Sequence, residues 1–196
     1  LKCVHCYNDP AVPDALTRER LSLVLDQAAG LGCLFLALTG GEIGTRADLV
    51  SIVSDGRARG FDVRLQTSGW NVDDRMAGLL ADRAVSEVHI SLYSADPVIH
   101  DAVTRTPGSH ERALLAIRAL RARGVRVVLK TLITRTNAAG YRSVRALADE
   151  LGCAHTMDAR VLPCESGAAG PCAQRPDGGA LLELYGEVAP EGLEGL

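Results

Sequence analysis

The sequence predicts an α/β fold built on a parallel sheet, and three observations carry that prediction. Apolar runs of strand length alternate with helical patterns at intervals of about 25 to 35 residues, the βα order of a parallel sheet. Most helical patterns stop at a glycine (Gly30, Gly60, Gly124, Gly152) just before the next apolar run. Polar motifs then fall at the carboxyl ends of the predicted strands: Gly40-Gly41-Glu42, Thr67-Ser68-Gly69, Ser91-Leu92-Tyr93-Ser94, and Lys130 with Thr131. That edge faces the ligand in parallel sheets and barrels, so one site is expected there.

Taken in order, residues 8–15, with Pro10 and Pro13, read as a loop. Thr17 caps a helix to about Leu31, with Leu21, Val24, Leu25, Ala28 and Leu31 on one face. Cys33 to Leu38 is an apolar run that reads as a strand buried on both faces. A helix from about Arg46 to Arg59 turns Leu49, Val50 and Val53 inward, and Phe61 to Leu65 reads as the next strand. Asp73 to Arg83 is helical, and Glu87 to Leu92 alternates into a strand. A loop through Pro97 and Pro107 leads to a helix opening at Ser109, with Ala113, Leu114, Ile117 and Leu120 on its face. Val125 to Ile133 is the clearest strand. Asn137 starts a helix to about Leu151, and a weaker strand follows near His155 to Val161. From Pro163 the period is lost in a run rich in Gly, Pro, Ala and Cys, read as a connector, with one helix over Leu181 to Val188.

Composition sets the bounds. A chain of 196 residues with 47% hydrophobic and 23% charged residues suits one core of an ordinary globular protein. A net charge of −3 and 4% aromatic residues leave no basic, aromatic-interleaved stripe, which argues against a nucleic-acid partner. No apolar run reaches the roughly 20 residues of a membrane span, and no signal peptide is expected. Six cysteines spread through a Leu- and Ala-rich chain point to a reducing cytoplasm rather than a disulfide framework. Cys33 and Cys153 read as core thiols. Lysine occurs only at Lys2 and Lys130, and Lys130 interrupts an apolar strand, so its cation needs a partner or a path to water.

The chain opens on Leu1-Lys2-Cys3-Val4-His5-Cys6-Tyr7-Asn8. By itself C-x-x-C serves redox dithiols, zinc knuckles and iron–sulfur clusters. A dithiol at a helix start would have a lowered thiol pKa, but Pro10 and Pro13 delay the helix. A zinc knuckle needs a second close pair, and Cys164 and Cys172 are too widely spaced. In Gly40-Gly41-Glu42 the glycines let backbone approach a ligand, and Glu42 offers an acceptor for an amino group.

The combination of Cys3 and Cys6, Gly40-Gly41-Glu42 and the repeated βα frame resembles the radical S-adenosylmethionine (SAM) enzymes. The likeness runs to about Val161. It is strongest to the SPASM-associated peptide maturases over residues 90–109, which include Ser91, Tyr93, Ser94, Asp96 and His100. The resemblance implies a partial (β/α)6 TIM-like barrel with its first strand missing. It implies a core over residues 1–162, truncated at its start, and a connector over residues 163–196 toward a SPASM-like domain, where Cys164 and Cys172 are possible further thiols. It further implies a 4Fe–4S cluster with Cys3 and Cys6 as two of three ligands, the first lying two positions upstream of Leu1, so that the chain alone is expected to be inactive. His5 takes the aromatic position beside the adenine. Gly40, Gly41 and Glu42 grip the methionyl ammonium, while Ser91 and Lys130 are further SAM contacts. The implied reaction is reductive SAM cleavage to a 5′-deoxyadenosyl radical that modifies a peptide or protein. A flavodoxin or ferredoxin is the implied reductant. Two other readings stand beside it: a radical SAM enzyme acting on a small molecule of the haem pathway, and a βα redox dithiol protein.

Overall fold

The computed structural model describes residues 1–8 and 16–188; the loop read over Pro10 and Pro13 and the closing residues 189–196 lie outside the described residues. Five strands form one sheet in chain order: β1 (Phe35–Leu38), β2 (Asp62–Thr67), β3 (Glu87–Ser91), β4 (Arg126–Leu132) and β5 (Ala154–Asp158). Every neighbouring pair is parallel. The helices between them are α1 (Arg18–Gly30), α2 (Leu49–Ala58), α3 (Asp74–Asp82), α4 (Pro97–Thr104), α5 (Ser109–Arg121) and α6 (Tyr141–Glu150), and α7 (Gly178–Val188) closes the described chain. The predicted α/β class and parallel order are therefore present, as an open five-stranded sheet.

Side-chain chemistry sets the helix ends. Thr17 accepts from the Arg20 amide to cap α1, and Asp73 accepts from the Met76 amide to cap α3. The stretch from Pro97, read as loop, is helix α4. Proline suits a first helical turn, where its missing N–H has no partner to lose, and the Asp96 carboxylate caps the same turn at Val98. The α4–α5 corner closes on Asp101, which accepts from the Gly108 amide (2.6 Å), the Ser109 hydroxyl (2.8 Å) and the His110 amide (2.9 Å).

One face of the sheet is the core. Val63, Leu65, Val88, Ile90, Val127 and Leu129 pack there against α2, α3 and α5, all nearly inaccessible. Gly69 sits just past β2 at φ +82°, and a Cβ there would lie 3.1 Å from the Ala116 Cβ and 3.3 Å from the Ala113 Cα. That approach lets α5 lie close over the end of β2.

The other face is open and polar, and the two-sided burial expected of residues 33–38 does not hold. Alternation places Asp62, Arg64 and Gln66 on it from β2, Glu87, His89 and Ser91 from β3, and Arg126 and Lys130 from β4. Glu87 receives His89 Nε2 at 3.1 Å and Arg126 Nε at 3.1 Å, with Arg64 Nε at 3.7 Å. At β1 the departure is largest. Leu34 is 67% and Phe35 61% exposed, because β1 is an edge strand and only Leu36 and Leu38 turn toward the helices. Cys33, read as a core thiol, is exposed for the same reason, whereas Cys153 is buried as expected. On α1 only Leu21 and Leu25 of the predicted face are buried; Val24 and Leu31 reach solvent. On α2, Ile52 joins Leu49 and Val53 inside, and Val50 is half-buried.

Candidate functional site

A cavity of about 860 Å³ opens beside the carboxyl end of β1. Its wall brings together Cys3 and Cys6 from the first loop, Gly40, Gly41 and Glu42 from the end of β1, and Glu165 from the C-terminal connector. Residues about 35 positions apart thus meet as the motif reading expects.

The first loop is held by backbone bonds. The amides of Lys2 and Val4 donate to the carbonyls of Thr104 and Val103 at the end of α4, at 3.2 and 2.9 Å, and the Cys6 amide donates to the Cys3 carbonyl at 3.1 Å. The turn leaves Cys6 exposed and Cys3 half-buried. Burial raises the Cys3 thiol pKa, and the neighbouring Cys6 adds to the rise, while the Tyr93 hydroxyl hydrogen-bonds to it and opposes the shift. Such a thiol is not a spontaneously ionised nucleophile, which weighs against an activated dithiol. A bound cation or cluster would compensate that cost.

His5 points inward. Its ring meets Tyr93 edge to face at 4.9 Å between centroids, and Nδ1 is buried with no hydrogen-bond partner. Burial lowers its pKa to about 4, so the ring is neutral at physiological pH. It does not line the cavity. Tyr93 is itself buried and hydrogen-bonds to Ser91 and Cys3; burial, with Cys3 next, raises its phenol pKa. Ser91 is thus engaged below the first loop, outside the cavity lining. His100 Nδ1 accepts from the Tyr93 amide at 3.2 Å, and the Asn137 amide nitrogen donates to the Tyr93 carbonyl at 2.7 Å.

At the end of β1, Gly40 holds φ +153°, a conformation that L side chains rarely adopt. No atom lies within 4 Å of where a Cβ would stand at Gly40 or Gly41, so this backbone is bare toward the cavity. Glu42 is the most connected residue of the site. One carboxylate oxygen accepts from the Gly44 amide (3.0 Å) and the Thr67 hydroxyl; the other accepts from the Ser68 amide (2.9 Å) and the Ser68 hydroxyl. Four donors fill the roughly four acceptor positions of a carboxylate. Glu42 therefore ties the end of β1 to the end of β2, and Thr67 and Ser68 are its partners rather than cavity wall.

Lys130 stands on the open sheet face. Its ammonium donates to the Gln66 amide oxygen at 3.1 Å and meets no acid among the described residues. Arg112 lies over the Trp70 ring at 5.8 Å on the surface. Ser94 accepts from the Asp96 amide at 3.0 Å, a turn contact.

Sequence reasoning missed Glu165. The connector touches the first loop: the Glu165 amide donates to the Tyr7 carbonyl at 2.9 Å, and the Cys164 thiol approaches the Cys6 carbonyl at 3.7 Å. A tight turn closed at Gly167 (φ +84°) aims this contact. Farther on, the Gln174 carbonyl accepts from the Arg135 amide at 2.9 Å. Glycine and proline in the connector signal turns but not their direction in space.

The donor set suits a thiophilic iron cluster in kind, since two thiols share one wall of a cavity beside a bare glycine backbone. Among the described residues no group of three or more His, Cys, Asp or Glu side chains could hold a metal ion, and the cavity wall carries two thiols, Cys3 and Cys6.

Fold and site together define a parallel βα protein whose first loop presents paired thiols to a glycine-rich strand end. The chain belongs to the radical SAM superfamily, whose family model matches residues 1–137. It is 31% identical over 155 residues to the AdoMet-dependent heme synthase of Methanosarcina barkeri, covering 78% of this chain and 44% of that protein. It is 32% identical over 159 residues to the PqqA peptide cyclase of Gluconobacter oxydans, covering 78% of this chain and 43% of the relative. The chain thus spans less than half the length of these curated relatives. Among solved structures, Streptococcus suis SuiB superposes with a TM-score of 0.72 at 15% identity, over 85% of this chain and 38% of that one. The anSMEcpe structure with bound AdoMet gives 0.69 at 17% identity, over 83% and 48%. These neighbours share the fold, and the parallel α/β architecture matches theirs. No helix among the described residues is long and apolar enough to cross a membrane.

Proposed function

We propose that this chain is the core of an enzyme that cleaves SAM reductively at a 4Fe–4S cluster and uses the resulting 5′-deoxyadenosyl radical to modify a peptide or protein side chain. The observation that carries the reading is the meeting of Cys3 and Cys6 with Gly40, Gly41 and Glu42 around one cavity. Cys3 and Cys6 would hold the cluster, whose chemistry is the one-electron reduction that breaks the sulfur–carbon bond of SAM. The bare backbone of Gly40 and Gly41 offers carbonyl acceptors to the methionyl ammonium. Glu42 holds that backbone in place through Thr67 and Ser68. His5, neutral and packed on Tyr93, stiffens the loop between the two thiols. Lys130 and Ser91 stand toward the open polar face, where substrate has room to approach.

A peptide substrate is supported by the PqqA peptide cyclases among the relatives. The heme synthase, at similar identity, supports a small-molecule substrate as the second reading. A flavodoxin- or ferredoxin-type reductant, a cytoplasmic setting and a cysteine-rich domain beyond the connector belong to the same proposal.

The test uses the full-length protein, reconstituted anaerobically with iron and sulfide and given SAM and dithionite. Mass spectrometry should find 5′-deoxyadenosine with the wild type and none with Cys6→Ala. A folded wild-type protein that binds no iron and forms no 5′-deoxyadenosine would overturn the reading in favour of a dithiol.

A further inference from the structure

We infer that Tyr93 is a positioning residue for the cluster: its hydroxyl, donating to the Cys3 sulfur, raises the potential at which the bound group takes up its electron. The inference rests on the proposed function, since it takes Cys3 to be a cluster ligand.

Donor and acceptor come from separate elements, and each is fixed. Cys3 rides on the first loop, whose amides on either side of it, Lys2 and Val4, donate to the Thr104 and Val103 carbonyls at 3.2 and 2.9 Å. Tyr93 stands just past β3 and is 7% exposed. Its amide donates to His100 Nδ1 at 3.2 Å, and its carbonyl accepts from Asn137 Nδ2 at 2.7 Å. Asn137 is anchored in turn, its Oδ1 accepting from the Thr134 amide at 2.6 Å and the Thr134 hydroxyl at 2.9 Å. The ring is held between His5, edge-on at 4.9 Å, and His100, tilted at 5.5 Å.

The hydroxyl has two partners. Ser91 donates to the phenol oxygen, and the phenol proton goes to the Cys3 sulfur. A phenol is protonated at neutral pH, so it serves that sulfur as a donor. The bonds run one way, from Ser91 through Tyr93 to Cys3, and donors in series strengthen one another. Sulfur is a weak acceptor in a thiol and a stronger one in a thiolate, so the contact gains most when Cys3 is a metal ligand.

Reduction adds negative charge that is shared by the ligand sulfurs. A hydrogen bond to one of them is therefore stronger in the reduced state, and such bonds are among the levers that set a cluster's potential. With Tyr93 in place a weaker reductant suffices.

The experiment is a redox titration of the full-length, cluster-loaded protein, followed by electron paramagnetic resonance. Tyr93→Phe keeps the ring between His5 and His100 and removes only the hydroxyl. Its reduction equilibrium should shift about tenfold toward the oxidised state, a midpoint about 59 mV lower for one electron. A ring-fluorinated tyrosine at the same position, a stronger donor of nearly the same shape, should move the midpoint up. The direction separates the roles, because a loop merely loosened by substitution would admit water, which stabilises added charge and raises the potential. If both variants titrate with the wild type, or if Tyr93→Phe rises, the inference falls while the cluster reading stands. Should Tyr93→Phe fail to load, the fluorinated variant decides by itself. A wild-type protein that takes up no cluster overturns the reading and the inference with it.

Discussion

His100 sits where the fold has least room for a charge. It is 1% exposed, its ring meets His110 edge to face at 5.4 Å and lies tilted 5.5 Å from Tyr93, and Nδ1 must stay unprotonated to accept from the Tyr93 amide. Burial, then His110, lowers its pKa to about 4, with Asp101 opposing. The folded state therefore binds fewer protons than the unfolded chain below the ordinary imidazole value near 6.5. Stability from this group is complete above about pH 6.5 and is lost as the pH falls toward 4, by on the order of 3 kcal/mol. Urea unfolding at pH 7 and pH 4.5 should show the decline, and His100→Gln should flatten the part due to this ring. An equal decline in the variant would assign it elsewhere. At this scale the sequence was informative about identities but not about partners. Cys3, Cys6, Gly40, Gly41 and Glu42 are legible because their chemistry depends on residue type and spacing. That Glu42 is already saturated, or that Lys130 meets Gln66 rather than an acid, depends on which strands are neighbours, and no local pattern states that.

Among the elements, every strand of the sheet was legible and one helix was not. Thr17 announces α1 as its cap, and the apolar face of α5 follows its period. The missed element, α4, has proline at its start, which reads as a breaker until the cap at Asp96 is weighed with it. Strand bounds fall within two residues of expectation except at β5, which ends at Asp158 rather than near Val161; the two-sided burial read for residues 33–38 fails because β1 is an edge strand, and the alternation Asp62-Arg64-Gln66 and Glu87-His89-Ser91 marks a polar second face. The α4–α5 corner gives a prediction of its own. Burial would raise the Asp101 pKa, but the His110 and Gly108 amides and the Ser109 hydroxyl outweigh it and hold it below the usual carboxylate value. Its contribution is present above about pH 4 and lost as the pH falls further. Asp101→Ala should cost about 2 kcal/mol in urea unfolding at pH 7 and fray the first turn of α5. Full retention of α5 amide protection in hydrogen exchange would refute the corner's dependence on that carboxylate.

For the whole molecule, the sheet is open at both edge strands among the described residues, β1 and β5, and the apolar edge is β1. Nothing among the described residues pairs with the outer edge of β1, and Leu34 and Phe35 stand bare beside it. Such an edge templates association. The chain of residues 1–196 should therefore self-associate at micromolar concentration, and Phe35→Glu, which sets an acid next to Arg64 (4.7 Å from the Phe35 ring), should restore a monomer. Light scattering that finds both monomeric would remove the edge as an association surface. The contact between Cys164 and Cys6 carries a different consequence, one of timing. It joins residues 158 positions apart, so closing it waits on every strand and helix between them. During synthesis the two thiols of the first loop leave the ribosome well before the segment that touches their loop. That side of the cavity is finished by a later-made wall, and until then its most oxidisable atoms stand open to whatever iron, sulfide or oxidant the cell presents.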